Sequence, residues 1–536
     1  MSIKIIYGTS LSDTLVGEPI SESFYGLAGG DLLIGDRDVL AGDSALARVE
    51  GAQDFLFGGA GDDTVLGDGR AGAGSQSAKA IVVGAADLIS GGAGNDLLQG
   101  DGTVSVVAYD SLAQVIGGRD VIHGDAGNDT IYGDGSAAAT AVTVTAEIIG
   151  AADRITGDAG QDTIYGDGSA SNINSGLSRI AGAADRISGG TGNDTVYGDG
   201  VATSGMFGSS IVLGGRDVIY GDAGNDTLLG DGVAADGRGT GATLTGAADR
   251  LYGGSGADIL RGDGAVSAGR GSPAKLTGAA DLLCGGTGND VIDGDGRAGG
   301  SDAVTLGGGN DSLYGGDGKD VLTGDGGVKL TALWSAPGTL HGGADLLTGG
   351  WGDDILTGDG TLEVSFGKPS SFEGGNDTLK GGAGNDTLTG DGSAVFEMTS
   401  GTLTGGDDRL VGGSGNDILW GDGSVGGSDG TFGSSYSRVL VGGADTFVFG
   451  STDGTDTIMD FRHADGDRIE LIGTGLAWAD LDSDGSGTLG AADAFVTISA
   501  GSSVIDLGAA AGQASGLHQV VVAGVVNLAA GDFLFV

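Results

Sequence analysis

Sulfur is almost absent from this chain: one cysteine, Cys284, stands among 536 residues. No disulfide framework can staple it. Positive charge is scarce, with Lys+Arg 24 against Asp+Glu 73 and a formal net charge of −49. Phosphate binding needs Lys and Arg, so nucleic acid is excluded as a direct partner. An anionic membrane surface is disfavoured for the same reason. No run of roughly 18 apolar residues exists, so no membrane-spanning helix and no membrane insertion is expected. The opening stretch Met1-Ser-Ile-Lys-Ile-Ile-Tyr-Gly8 lacks the apolar region of roughly 7 or more residues that a secretory signal peptide needs. The expectation is a cytosolic chain, or one exported by a route that does not read the N-terminus. Catalytic signatures are missing too: no H-E-x-x-H, no G-x-S-x-G and no phosphate-binding GxxxxGK(S/T). The four histidines, His123, His341, His463 and His518, form no close pair. Zinc and copper therefore lack their usual ligands.

Glycine, at 119 residues, dominates what is present, while proline numbers 4. Together they stay just under the share at which low-complexity disorder is expected. The 39% hydrophobic content is too high for an acidic disordered tail. Yet the uncompensated charge opposes compaction. Something must neutralise the acid before the chain folds, and multivalent cations are the natural candidate.

Aspartates fall into two series. The first runs Asp54, Asp87, Asp120, Asp153, Asp185, Asp217, Asp249, Asp281, Asp311, Asp345, Asp377 and Asp408. The second runs Asp63, Asp96, Asp129, Asp162, Asp194, Asp226, Asp258, Asp290, Asp320, Asp354, Asp386 and Asp417. Every member of the second lies nine residues after its partner in the first, and successive members of the first lie 30 to 34 residues apart. That defines twelve units, each with a rigid half and a half of variable length. A period of this size marks a repeat architecture.

One rigid half reads Gly182-Ala-Ala-Asp-Arg-Ile-Ser-Gly-Gly-Thr-Gly-Asn-Asp-Thr-Val-Tyr-Gly-Asp-Gly200. It contains GGxGxDxUx, with U a large apolar residue. The glycines allow a tight turn with exposed carbonyls. Asn at the next position, as in Asn95, Asn128, Asn193, Asn225, Asn289, Asn385 and Asn416, tolerates left-handed backbone. The aspartate ends the turn, and three strand residues follow, the middle one pointing inward. Twelve such copies over residues 8–460 resemble the RTX (hemolysin-type calcium-binding repeat) family. The resemblance implies an all-β, right-handed parallel β-roll, a β-solenoid of about 12 coils. It also implies calcium ions between the turns of adjacent coils, sharing their aspartates. The residues agree: carbonyls and carboxylates are hard oxygen ligands, which suit calcium. Two turns per coil imply on the order of 20 ions of Ca2+. The plainer alternative is an acidic solenoid whose aspartates only cap turns. It leaves columns of like charge roughly 4.8 Å apart.

The first turn of each coil departs from the motif. It reads Gly-Asp-Gly, an insert, then a Gly-Ala-Ala-Asp variant, with Ala at motif position four in Ala85, Ala151, Ala183, Ala247 and Ala279. The motif supports ion binding less completely on that edge than on the unbroken one, with the Gly-Asp-Gly aspartates (Asp68, Asp134, Asp199 and equivalents) as candidates to compensate. Inserts such as Thr103-Val-Ser-Val-Val and Thr361-Leu-Glu-Val-Ser-Phe alternate, and most end in a second apolar stretch. They predict a strand out and a strand back, a β-arm on each coil, with flexible loops as the alternative. Inserts 233–245 and 265–277 look least like strands. Tyr132, Tyr165 and Tyr197 share one motif position, which predicts cross-strand stacking rather than a glycan platform.

Residues 1–45, with degenerate turns at Ser12-Asp-Thr-Leu and Gly29-Gly-Asp-Leu, are expected to cap the roll over 46–441. Residues 442–536, through Gly442-Gly-Ala-Asp-Thr-Phe-Val-Phe, Asp456-Thr-Ile-Met-Asp-Phe, Asp465-Gly-Asp-Arg-Ile-Glu-Leu and the ending Asp532-Phe-Leu-Phe-Val536, resemble the C-terminal region of serralysin-type RTX proteins. That resemblance implies a β-rich secretion domain read by a type I ABC exporter. Within it, 482–493 matches an EF-hand loop. Asp482, Asp484 and Ser486 fall at positions 1, 3 and 5, Gly487 at 6, Thr488 at 7 and Asp493 at 12. Aspartate at 12 has a shorter reach than the usual glutamate. The expected function is an extracellular, secreted calcium-binding structural or adhesive protein whose folding calcium triggers, with self-association or surface glycans as further partners. A calcium-dependent lectin or adhesin is the alternative. An enzyme is not expected, because no stretch long enough for a catalytic domain remains, and a secreted polysaccharide- or peptide-acting enzyme is the remote alternative.

Overall fold

The computed structural model describes residues 3–41, 46–331, 336–429, 435–451 and 453–536. Residues 1–2 and 42–45 of the expected cap therefore lie outside the described residues. Two units are resolved, Met1–Leu283 with Asp295–Thr305 and Cys284–Gly294 with Leu306–Val536. The fold is all-β, and each repeat forms one coil of a parallel β-solenoid.

A coil of the first unit shows why. Leu88–Ala93 runs into the glycine turn and Leu97–Gln99 follows it. Gly92 and Gly94 sit at φ 107° and 144°, a region costly to any residue with a Cβ. The insert then supplies Thr103–Val106 outward and Leu112–Ile116 back. Each strand pairs in parallel with its equivalents before and after, without slip: Ile89 with Leu56 and Ile122, Val115 with Val82 and Ile148. Each coil is thus four strands, two around the roll and two in an arm.

Only one side chain of each short core strand points inward, so the core is a file of Val65, Leu98, Ile131, Ile164, Val196 and Leu228, all fully buried. A second file, Leu56, Ile89, Ile122, Ile187 and Ile219, lines the facing sheet. Each coil offers too little apolar surface to close alone, so neighbours must stack. The arm sheets close over smaller residues, among them Ala80, Ala113, Val104, Val106, Ala137, Ala146 and Ala170. Inserts 233–245 and 265–277 are strands too, at Val233–Arg238 with Gly241–Thr245 and Ala265–Ala268 with Ala274–Thr277. Their Gly/Ala composition hides this, because in-register pairing with the neighbouring arms supplies the order that alternation does not. Tyr132, Tyr165 and Tyr197 stack ring on ring, with centroids 4.8 and 4.9 Å apart.

The second unit repeats the pattern. Leu346–Trp351, Ile355–Thr357, Thr361–Val364 and Ser370–Glu373 form one coil, paired in register with the next. Past the repeats, Thr446–Phe449, Arg468–Leu471 and Phe533–Phe535 add three more parallel strands to its core sheet. An antiparallel set, Val496–Ser499, Ser502–Asp506 and Gln519–Val522, joins Thr455–Ile458. No helix among the described residues is long and apolar enough to cross a membrane.

Candidate metal centres

The uninterrupted turn carries the second aspartate series. The N–H of Asp63 donates to Oδ1 of Asp96 at 2.7 Å, that of Asp96 to Asp129 at 2.7 Å, and that of Asp129 to Asp162 at 2.7 Å. In the second unit Asp320 donates to Asp354 and Asp354 to Asp386, both at 2.8 Å. One oxygen of each carboxylate is thus used by the ladder. The other, Oδ2, is buried and meets no donor in Asp63, Asp96, Asp129, Asp162, Asp320 and Asp354. A Cβ placed on Gly58 would lie 2.5 Å from Asp63 Oδ2 and 2.5 Å from the Gly91 carbonyl of the next coil. Only glycine leaves room for these converging oxygens.

The interrupted turn builds the same relation across a longer gap. A Cβ on Gly67 would lie 2.3 Å from Asp87 Oδ2 and 1.7 Å from the Gly100 carbonyl. Gly67 and Asp87 flank the whole arm, whereas Gly58 and Asp63 flank a single turn. The first series forms its own ladder, Asp54 to Asp87 at 2.6 Å and Asp87 to Asp120 at 2.7 Å. Its Oδ2 atoms in Asp54, Asp87, Asp120, Asp153, Asp185 and Asp217 are again buried without a donor. Alanine at motif position four is accommodated by the backbone of this edge. Ala85, Ala151, Ala183, Ala247 and Ala279 are not among the positive-φ residues, because the arm and not a left-handed turn delivers the chain. The edge also carries a third aspartate column, the Gly-Asp-Gly residues, fully buried at Asp68, Asp101, Asp134, Asp167 and Asp199.

Asparagine at position five has a different role from the one expected. Asn95 and Asn128 are not among the residues at positive φ. Instead Oδ1 of Asn95 accepts the N–H of Asn128 at 2.8 Å, and Asn128 accepts that of Gln161 at 2.8 Å. These form an outer amide ladder beside the carboxylates.

Burial raises carboxylate pKa values on both edges. Burial, followed by neighbouring carboxylates, holds Asp87, Asp134, Asp153 and Asp217 well above the usual carboxylate range. On the uninterrupted edge burial lifts Asp63 and Asp96 to about 6 and Asp129 and Asp162 to about 7. Such carboxylates are expensive to ionise without a cation.

The loop at 482–493 is a separate centre. Carboxylate oxygens of Asp482, Asp484 and Asp493 lie within 4.8 Å of one another. Backbone donors hold them: Ser486 N–H reaches Asp482 Oδ1 at 3.0 Å and Asp484 Oδ1 at 2.9 Å, and Gly490 N–H reaches Asp493 Oδ2 at 2.9 Å. The Ser486 N–H also lowers the Asp484 pKa. The Ser486 hydroxyl donates to the Thr488 carbonyl at 2.9 Å. Aspartate at position twelve does reach the group. Before the loop stands only the four-residue helix Trp478–Leu481, whose Trp478 Nε1–H donates to Asp482 Oδ2 at 3.1 Å.

Residues 50–69, 83–103, 117–137, 150–175, 181–200, 211–233, 245–265, 277–296, 298–328, 341–360, 373–394 and 403–424 match the family model described as RTX calcium-binding nonapeptide repeat (4 copies). The chain belongs to the RTX calcium-binding repeat family. Among solved structures it is similar to the extracellular lipase LipA from Serratia marcescens, at 18% identity and a TM-score of 0.18. The match covers 48% of this chain and 40% of that one, so the chain spans well under half the lipase. No curated protein matches.

The RTX ladders extend past both ends of the matched region. Asp13 donates to Asp31 and Asp31 to Asp63, each at 2.7 Å, while Glu22 donates to Asp54 at 2.6 Å. At the other end Asp408 donates to Asp445 at 3.0 Å, Asp445 to Asp467 at 3.1 Å, and Asp417 to Asp456 at 3.0 Å. Sequence reasoning set Asp13 and Asp31 in degenerate turns but assigned none of these six as ligands. The signal was an acid followed by strand residues, as in Asp13-Thr-Leu-Val and Asp456-Thr-Ile-Met, with an incomplete set of motif glycines before it.

Proposed function

We propose that this RTX chain is a secreted calcium-binding structural or adhesive protein, of an extracellular matrix, biofilm or surface-layer kind, that folds when it meets calcium after export. The observation that carries the reading is the set of buried Oδ2 atoms without donors, in ten aspartates of each series. Unpaired buried carboxylate oxygens cost several kcal/mol each in a low-dielectric interior, at about the scale of an uncompensated charge. Calcium takes about 6–8 oxygen ligands and tolerates loose geometry. The two aspartate series, with glycine carbonyls, are its ligands on the two edges, and Asp482, Asp484, Ser486, Thr488 and Asp493 hold a further ion. These residues offer only oxygen, which fits calcium and not zinc.

In a calcium-poor cytosol, repulsion among the acids keeps the chain unfolded and exportable. The resemblance of 442–536 to serralysin-type regions supports a type I ABC exporter. Outside, calcium near about 10⁻³ M reaches the affinity range of extracellular modules. Binding to the native state alone then drives folding. No enzymatic step enters this role. The test is a calcium titration of chelated protein, followed by circular dichroism and light scattering. A coil-to-β transition near millimolar calcium, absent with magnesium, is expected. Scattering that rises with it favours an assembling matrix protein. A chelated chain already fully β at neutral pH overturns the reading.

One groove favours a second reading, a calcium-dependent lectin or adhesin. It measures about 360 Å³ in the second unit and is lined by Thr357, Thr389, Ser393 and Trp420, with Asp391 and Asp422. An indole beside hydroxyls and carboxylates suits a sugar face and its hydroxyl groups. Specific calcium-dependent hits on a glycan array, lost in Trp420→Ala, support it; silence favours the scaffold.

A further inference from the structure

The Gly-Asp-Gly aspartates are not part of the GGxGxD carboxylate position, yet they form the most deeply buried acidic column in the molecule. In the first unit it runs through Asp68, Asp101, Asp134, Asp167, Asp199 and Asp231, each with no exposed surface. We propose that this column is a further row of divalent-cation ligands, acting with the first series on the interrupted edge. The ligand class is a hard divalent ion, with calcium first.

Asp134 and Asp167 carry the argument. Neither oxygen of either residue meets an amide or alcohol donor. The charges acting on Asp134 are Asp153, Asp167, Asp101 and Asp185, all carboxylates. A buried acid in those surroundings must hold a proton or a cation. Each coil sets two carboxylates on this edge, one triplet aspartate and one of the first series, and one divalent ion per coil cancels that charge. The uninterrupted edge has a single fully buried column, and its further acids, such as Asp125 and Asp158, are half-exposed.

Two features of the second unit point to the cation. Oxygens of successive triplets converge, since Asp359 Oδ2 and Asp391 Oδ1 lie 2.4 and 2.5 Å from the place a Cβ on Gly374 would take. Where this column ends, the chain supplies its own cation: Arg462 Nη1 lies 3.0 Å from Asp422 Oδ2. Asp422 is the last Gly-Asp-Gly aspartate, and the next carboxylate along, Asp460, accepts its N–H at 2.9 Å from outside the triplet pattern. A guanidinium stands there in the place a shared metal takes within the column.

The inference rests on the calcium reading above, and its test separates the two. Asn is isosteric with a protonated carboxyl, so Asp134→Asn and Asp167→Asn imitate the proton state. The full chain, with each change and with both, is saturated with calcium and its bound ions counted by equilibrium dialysis and elemental analysis. Folding midpoints in calcium are read by circular dichroism. The double variant is expected to fold, to bind at least one ion fewer than the unaltered chain, and to need more calcium at its midpoint. An unchanged count with an equal or lower midpoint means these acids are protonated, and overturns the third row while leaving calcium-driven folding standing. If the double variant does not fold, the single Asp134→Asn chain gives the same count and the same two outcomes.

Discussion

Lys4 Nζ lies 2.6 Å from Oε1 of Glu22, a residue with no exposed side chain. Glu22 heads the column that Asp54 and Asp87 continue, its N–H donating to Asp54 Oδ1 at 2.6 Å. Inside the column the corresponding second oxygen has no donor; at its head, it has an ammonium. Glutamate is one methylene longer than aspartate, which suits an amine arriving from the terminal strand. The hydrogen bond to Glu22 is also what chiefly raises the Lys4 pKa. At this end a fixed cation, not another carboxylate, meets the column.

Lys4→Met removes that cation and leaves Glu22 buried alone. Repeat stability is a nearest-neighbour property, so the loss should stay local. Hydrogen exchange in saturating calcium should show lost protection in Lys4–Tyr7 and Glu22–Ala28, unchanged protection from Leu88 onward in the first unit, and recovery in Lys4→Arg. A uniform loss across the unit would show that the contact is not a local end-stop.

The metal-free chain should respond to acid in the opposite sense from most proteins. Aspartates lifted from 3.8 to about 6 (Asp63, Asp96) and about 7 (Asp129, Asp162) hold protons in the fold that the unfolded chain has released. Their destabilising effect is complete above the folded value and vanishes below the unfolded one. In chelator, β-structure should be lowest near about pH 8 and grow toward about pH 5. With calcium present, protons compete for the same oxygens, so the calcium midpoint should rise as pH falls through that window. Circular dichroism across pH checks both, and a flat chelated profile contradicts the first.

Gly67→Ala and Gly426→Ala are chemically identical changes with different surroundings. On Gly67 the new methyl meets the Gly100 carbonyl at 1.7 Å and Asp87 Oδ2 at 2.3 Å; on Gly426 it meets nothing within 4 Å. The first should cost more than about 3 kcal/mol and the second stay within about 0.5 kcal/mol. Thermal unfolding in saturating calcium provides the comparison, and similar midpoints would remove the steric argument for that edge.

The loop at 482–493 has its own reporter. Trp478 Nε1 sits 3.1 Å from Asp482 Oδ2, so terbium in the loop should show luminescence sensitised by this indole. Asp484→Ala should abolish most of that signal without changing the β-content, because the loop contributes no strand to the solenoid. Sensitised emission that survives Asp484→Ala but disappears in Trp478→Phe would place the ion elsewhere near the indole.

Much of the site could be read before any coordinates. The two aspartate series and their nine-residue offset identify the turns, and the U positions name the buried file, Leu98 and Ile131 among them. The end residues were harder. Asp13, Glu22 and Asp467 lack the full glycine run of the motif and Asp445 lies beyond the nine-residue pairing, so their membership comes from hydrogen bonds to the neighbouring coil. Asn128 was legible as a turn residue but not as a rung, since its partner, Gln161, is a full coil away.

The sequence by itself determined the coil period, the oxygen-only ligand chemistry and the inward file, because these depend on residue identity at fixed spacing along one chain. Only the tertiary structure decided that Gly67 meets Asp87 beyond the arm, that Asp134 and Asp167 fall into one buried column, and that Val233–Arg238 and Ala265–Ala268 are strands. Those outcomes depend on one coil stacking in register on the next. The hydrogen bonds and carboxylate neighbours that create them lie about 32 residues apart, as in Asp63 and Asp31, and no local pattern encodes them.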